Sequence, residues 1–269
     1  DNHRVRMVDA SGTVATVAGD GYTTAPFGLG RYGGDGGYAT LASLEFPTAC
    51  AVDSTGDIYI VDTGNHRIQK VDAQTRTITT VVGDGFEDDD GEGRFAGDLR
   101  PATQASLNSP TQGIFLDPAG NLYISDTANH RVRRVDVATG VIATIAGDGF
   151  ADEDGKGRFS GDGGPAARAS LFFPNGIFVD QEHDLYIADS YNHRIRKVDG
   201  TTGVISTIAG DGFADDDGVG RFGGDSGPAT LASLNDPCHV FVDASGDVYI
   251  ADQDNHRLRV VEAATGIMR

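Results

Sequence analysis

The tripeptide Asn-His-Arg occurs five times, beginning at Asn2, Asn65, Asn129, Asn192 and Asn255. Successive copies lie 63, 64, 63 and 63 residues apart (65 − 2, 129 − 65, 192 − 129, 255 − 192). So regular a period dictates a row of similar supersecondary units, each burying its apolar faces against the next.

Within one period the residues read as four short strands. In the unit at 110–147, residues 113–117 form an apolar run before Pro118 and Gly120, suited to an inner strand buried on both faces. Residues 122–126 follow a tight turn, 131–136 alternate apolar and basic side chains, and 141–147 complete the set. Turns of two to five residues rich in Gly, Asp and Asn make neighbouring strands antiparallel. No segment carries the 3.6-residue period of an α-solenoid. The fold class expected is therefore all-β, a β-propeller of four-stranded antiparallel blades. The blades cover 46–83, 110–147, 174–210 and 237–269, residues 1–20 supply the last two strands of a partial blade, and long acidic Gly-rich loops join them. The terminal pieces overlap instead of complementing each other, so the expectation is a stretch of a larger, six-bladed ring, with a four- or five-bladed ring as the alternative.

The run Gly120-Asn121-Leu122-Tyr123-Ile124, continued through Asp126 to Asn129-His130-Arg131-Val132-Arg133 and then Thr139-Gly140-Val141-Ile142, resembles the NHL repeat family. The resemblance covers essentially the whole chain. It implies a β-propeller, commonly six-bladed, that recognises proteins, RNA or ligands; a few relatives, such as peptidyl-hydroxyglycine lyases, are metal-dependent enzymes. The loop Gly161-Asp162-Gly163-Gly164-Pro165-Ala166 is similar to loops of bacterial secreted propellers and of teneurins, which are extracellular adhesion receptors.

Charge narrows these options. Forty acidic against 21 basic residues give a net charge of −19. Nucleic-acid binding relies on Lys and Arg at phosphates, so it is excluded, and an anionic membrane surface would repel the chain. No run of 18 apolar residues exists, so no membrane insertion is expected. The two cysteines, Cys50 and Cys238, occupy different repeat positions and are expected to be free thiols.

Asn-His-Arg follows Asp62, Asp126, Asp189 and Asp252 by a few residues, which sets Asp and Arg on adjacent strands beside one turn. The motif is therefore expected to be structural, its Asp and Arg forming a shielded bidentate pair. Tandem basic residues such as Arg133-Arg134 read as a solvated outer-strand face.

The linkers between units are long, and three of them share Phe-x-Asp/Glu-rich-Gly-x-Gly-Arg-Phe, as in residues 86–95, 150–159 and 213–222. Calcium takes six to eight oxygens, and Asp-x-Asp-Gly offers closely spaced carboxylates with a turning glycine. The candidate ligands are Asp88, Asp90 and Asp98, Asp152, Asp154 and Asp162, and Asp215, Asp217 and Asp225. The EF-hand pattern fails. The first loop, 22–30, lacks the acidic triplet, so three sites are expected rather than four. The favoured reading is a solvated acidic loop packed by its Phe residues, with Arg94, Arg158 and Arg221 pairing its carboxylates, and calcium is the alternative.

Chemistry in a repeat protein should appear where the repeats differ. Thr48, Thr111, Asn175 and Cys238 follow the proline that opens each inner strand, near the expected channel mouth, and His239 adjoins the last. This set is small and polar, with no carboxylate ring of the senescence-marker hydrolase type. Cys238-His239 is read as a buried polar pair at a strand start, with a thiolate–imidazole pair as the alternative. The function expected is an extracellular, cell-surface or periplasmic binding module for a protein partner, a ligand or another copy of itself, stabilised by calcium. The alternative is a metal-dependent lyase or hydrolase with a site on the propeller axis.

Overall fold

The structure, a computed structural model, describes residues 2–24 and 29–269, so part of the first loop lies outside the described residues. Strands β1 (Val5–Val8) and β2 (Val14–Ala18) form a hairpin. Strands β3 (Pro47–Val52), β4 (Ile58–Asp62), β5 (Arg67–Val71) and β6 (Ile78–Val82) form a meander in sequential order. The next sheet has the order β7-β11-β10-β9-β8, built from β7 (Arg100–Pro101), β8 (Ile114–Leu116), β9 (Leu122–Asp126), β10 (Arg131–Val135) and β11 (Val141–Ala146). Strands β12 (Pro174–Val179), β13 (Leu185–Asp189), β14 (Arg194–Val198) and β15 (Ile205–Ala209) form another meander. Last come β16 (Pro237–Val242), β17 (Val248–Asp252) and β18 (Arg257–Val261). The fold is all-β and of the β-propeller class, as the repeat period implies. No helix among the described residues is long and apolar enough to cross a membrane.

Aspartates set the strand register at the hairpins. Asp53 Oδ1 accepts the N–H groups of Thr55 and Asp57 at 2.9 and 3.0 Å, closing the β3–β4 turn. Asp243 does the same for Ser245 and Asp247 between β16 and β17. Such side-chain mimicry of a turn is why Asp is frequent where the chain must reverse.

The chain divides into two compact units, one of residues 1–122 and 135–143, the other of 123–134 and 144–269. The first has a core of Ala18, Leu44, Ile60, Val71 and Ile78. The second is centred on Ala188, Ile195, Ala209, Leu234, Val240 and Ile250. Each linker enters its core through one copy of Ala-x-x-Ala-Ser-Leu; Ala229, Ala232, Ser233 and Leu234 are all buried. The backbone N–H groups of Gly210 and Asp211 donate to the carbonyls of Ala229 and Ala232, docking that copy against the end of β15. Gly210 has φ +94°, and a Cβ there would lie 2.3 Å from the His193 carbonyl oxygen, so this tight exit needs glycine.

Two expectations about burial are corrected. The second strands, not the inner ones, are the most deeply covered: every residue of β9 and β13 is buried, whereas all of β8 is half-buried. Arg133 belongs to no solvated face; it is fully buried, as are Arg196 and Arg259 at the equivalent positions. A buried guanidinium is tolerated because a carboxylate accompanies each.

Candidate functional site

Asn-His-Arg is a structural bracket. Asp189 lies opposite Arg194 in the β13–β14 register, as the spacing suggests, but its carboxylate is taken by Arg196, two residues further on, at 3.1 Å. Arg194 instead donates to the Asp211 carbonyl at 2.9 Å and lays its guanidinium 3.7 Å from the Phe159 ring centre. The anticipated pairing with the motif arginine is therefore wrong, because that arginine serves backbone carbonyls and an aromatic face.

The motif histidine sits in the left-handed region, with φ +52° at His193 and +53° at His66. Its Nδ1 accepts a backbone N–H, from Asp236 at 3.1 Å for His193 and from Ser109 at 2.9 Å for His66. Its Nε2 donates to the glycine carbonyl of the following acidic tip, Gly218 or Gly91, at 3.1 Å. With Nδ1 accepting and Nε2 donating, both nitrogens of each of these rings are engaged, and the ring latches an acidic loop.

The acidic tips are held from within. Asp88 Oδ1 accepts the N–H groups of Asp90 and Glu92 at 3.0 and 2.9 Å. Asp152 serves Asp154 and Lys156, and Asp215 serves Asp217 and Val219, in the same way. Asp90, Asp154 and Asp217 are exposed. Asp162 pairs with Arg196 at 2.7 Å and Asp225 with Arg259 at 2.5 Å, while Asp98, half-buried, follows Gly97 at the equivalent place. Arg94, Arg158 and Arg221 stack on Phe86, Phe150 and Phe213 and face Asp84, Asp148 and Asp211. Among the described residues, no three His, Cys, Asp or Glu side chains are grouped to hold one ion.

The strand-opening set is dispersed into local contacts. Thr48 Oγ1 meets Thr63 Oγ1 at 2.7 Å, and Thr111 is half-buried. The Asn175 carbonyl accepts from Ser125 Oγ at 2.5 Å. Cys50 and Cys238 are both free. Gly176 allows β12 to approach the backbone of Cys238 and His239; a Cβ there would fall 2.7 Å from the Cys238 carbonyl oxygen. Burial, then the Asp236 carboxylate, pushes the Cys238 thiol up, the opposite of what a thiolate nucleophile needs.

A feature that the repeat period does not reveal lies in the second unit. A cleft of about 640 Å³ opens between the acidic tips 154–156 and 215–219. Its floor is Phe172, Phe173 and Tyr191, whose ring centres are 5.0 to 5.5 Å apart. Asp236 and Asp254 stand at its side. Burial, then the Asp254 charge, pushes the Asp236 carboxyl up. These residues occupy variable repeat positions: Phe172-Phe173 replaces Glu45-Phe46 and Asn108-Ser109, and Tyr191 replaces Gly64 and Ala128. Comparing the two residues before each strand-opening proline, and the one before each Asn-His-Arg, finds them.

The family model for the Teneurin NHL domain matches residues 4–89 and 151–216. Teneurin-4 of Mus musculus is 32% identical over 261 residues, covering 91% of this chain and 9% of that protein. Protein SUPPRESSOR OF QUENCHING 1, chloroplastic, of Arabidopsis thaliana is 28% identical over 269 residues, covering 99% of this chain and 23% of that protein. The chain thus spans less than a quarter of either. Among solved structures, an auxiliary nutrient binding protein from Bacteroides ovatus has a TM-score of 0.58 at 21% identity, covering 95% of this chain and 57% of that one, a likeness of fold.

Proposed function

The chain belongs to the Teneurin NHL domain family, and from that premise we propose that it is a binding module for a protein partner or a second copy of itself. One observation carries the reading. The motif histidines and the first Asp of each acidic tip are engaged in contacts within the fold, whereas the variable residues Phe172, Phe173, Tyr191, Asp236 and Asp254 line the cleft of the second unit. Binding asks for a shaped surface with a few polar groups and no catalytic constellation. The compartment proposed with it is extracellular, cell-surface or periplasmic, which a net charge of −19 suits by maintaining solubility. One relative is chloroplastic by name, so the compartment is best tested directly: protease added outside intact cells should cleave the natural protein.

The cofactor proposal is calcium at the acidic tips. Each ion would draw on Asp88 and Asp90, Asp152 and Asp154, or Asp215 and Asp217, completed by carbonyls and water, because arginines take Asp162 and Asp225. Two carboxylates place such sites in the weak class of calcium modules, with Kd near ~10⁻⁴ to 10⁻³ M. Calorimetric titration should find one weak ion per acidic tip, and melting in millimolar calcium should exceed melting in chelator by a few degrees. No uptake and no shift would remove calcium from the account. One tightly held zinc or iron per chain would overturn the binding-module reading in favour of a metal-dependent lyase or hydrolase.

A further inference from the structure

We infer that the cleft docks an arginine from a basic segment of a partner protein, its guanidinium stacked on the Phe172–Phe173–Tyr191 floor and paired with Asp236 and Asp254. The inference rests on the binding-module reading and names the chemistry of the partner.

The protein's own construction supplies the precedent. Guanidinium groups lie 3.7 to 3.9 Å from aromatic ring centres at Arg94–Phe86, Arg158–Phe150, Arg221–Phe213, Arg194–Phe159 and Arg257–Phe222. Among the described residues no cation covers Phe172, Phe173 or Tyr191, and Tyr191 is 50% exposed. Tyr191 thus offers exposed aromatic surface of a kind that the fold covers elsewhere with its own arginines, beside Phe172 and Phe173, which are half-buried and meet the His130 ring edge-on.

Charge selects the occupant. Asp236 and Asp254 line the same cleft, and neither carries an ion pair among the described residues. Asp154, Asp215, Asp216 and Asp217 line the same cleft, against a single lining cation, the exposed Lys156. A neutral apolar segment would desolvate Asp236 without compensation. A metal ion would find aromatic faces where it needs oxygens. A guanidinium is flat, weakly hydrated and able both to stack and to bridge a carboxylate, which an ammonium cannot do equally well. The aromatic set stands in one repeat, since the equivalent positions carry Glu45, Phe46 and Gly64, Asn108, Ser109 and Ala128, or Asn235, Asp236 and Asp254.

Fluorescence anisotropy with three labelled peptides tests this: six arginines, six lysines and six citrullines spaced by Gly-Ser. The arginine peptide is expected to bind the folded chain about fivefold tighter than the lysine peptide, and the citrulline peptide hardly at all. Tyr191→Ala and Asp236→Ser should each weaken the arginine peptide about tenfold, the scale of one lost charge-assisted or stacking contact. Both substitutions introduce residue types related to those the fold carries at equivalent positions, Ala128 and Ser109, so the fold tolerates them. Asp89→Asn, at an exposed tip of the other unit, should change binding less than twofold. Equal affinity for arginine and lysine with no loss in Tyr191→Ala, or equal losses in Asp89→Asn and Asp236→Ser, would overturn the proposal as unspecific attraction. Sedimentation and cross-linking of the natural protein separate the two failures. A complex that responds to Tyr191→Ala although arginine peptides do not bind condemns the ligand class alone, whereas no complex of any kind condemns the binding module too.

Discussion

Arg196→Met is expected to lower the unfolding free energy by about 3–5 kcal/mol, the range found when one partner of a buried ion pair is removed. Arg196 is fully buried, and its Nη1 donates to Asp189 Oδ2 at 3.1 Å. Its Nε and Nη2 reach Asp162 Oδ1 at 3.1 and 2.7 Å, and Nη2 also reaches the Ser160 carbonyl at 3.1 Å. Methionine fills the space but leaves Asp189 a buried, uncompensated charge. That carboxylate also accepts the Phe172 N–H at 2.8 Å and Asn192 Nδ2 at 2.9 Å, so its disturbance reaches the cleft floor. Asp162→Asn should do less, because Asp162 keeps 35% side-chain exposure and its ionic interaction is screened. Arg196→Gln should fall between them, since glutamine already serves at the equivalent position of the first unit, where Gln69 Nε2 donates to Asp62 Oδ2 at 2.9 Å. Urea unfolding at neutral pH reads all three; a loss below about 1 kcal/mol in Arg196→Met would mean that the pair is not a stabilising unit.

The same arginine marks where sequence reading ends. The repeat period, the Gly and Asp turns and the alternating Val and Ile reveal the blade strands, because those signals are local. The alternation in Arg131-Val132-Arg133-Arg134-Val135 assigns side chains to two faces but does not say that both faces are covered, so Arg133 looks solvated and is buried. The spacing of Asp189 and Arg194 gives their cross-strand register, yet the diagonal partner Arg196 takes the carboxylate, a choice made by packing rather than by separation along the chain. Likewise Phe172, Tyr191 and Asp236 belong to three stretches, and only the fold brings them to one cleft. The acidic triplets attract attention in the sequence because charge is conspicuous there, whereas each first Asp mainly shapes its own tip.

Gln69→Arg should change the pH dependence of stability as well as its size. Asp62 is buried, and its nearest side-chain donors are neutral, Gln69 and Asn65. Burial, with a further contribution from the Glu45 charge, pushes its carboxyl up to about 7. The equivalent Asp189 and Asp252 have arginines beside them, and Gln69 is an imperfect substitute: its Oε1 is buried without a hydrogen-bond partner. A carboxyl whose folded pKa lies above its unfolded value binds its proton more tightly in the fold. Its contribution is therefore full below about pH 4 and declines as pH rises towards 7, by at most about 4 kcal/mol for ~3 pH units of difference. An arginine at position 69 would reach Asp62 as Arg196 reaches Asp189. Asp35 would offer the second carboxylate, since its Oδ1 accepts the Thr80 N–H at 2.7 Å much as Asp162 accepts that of Thr207. Gln69→Arg should then be more stable than the parent by about 2–4 kcal/mol near pH 8 and by little near pH 4. Burial holds His130 below its ordinary value, so its contribution runs the opposite way, lost as pH falls below about 6.5. That loss is common to both proteins and cancels in their difference. Urea midpoints of the pair at a series of pH values measure the effect. A gain that does not vary with pH would mean that Asp62 is already ionised throughout, and that the glutamine-bearing repeat tolerates a buried carboxylate without a cation.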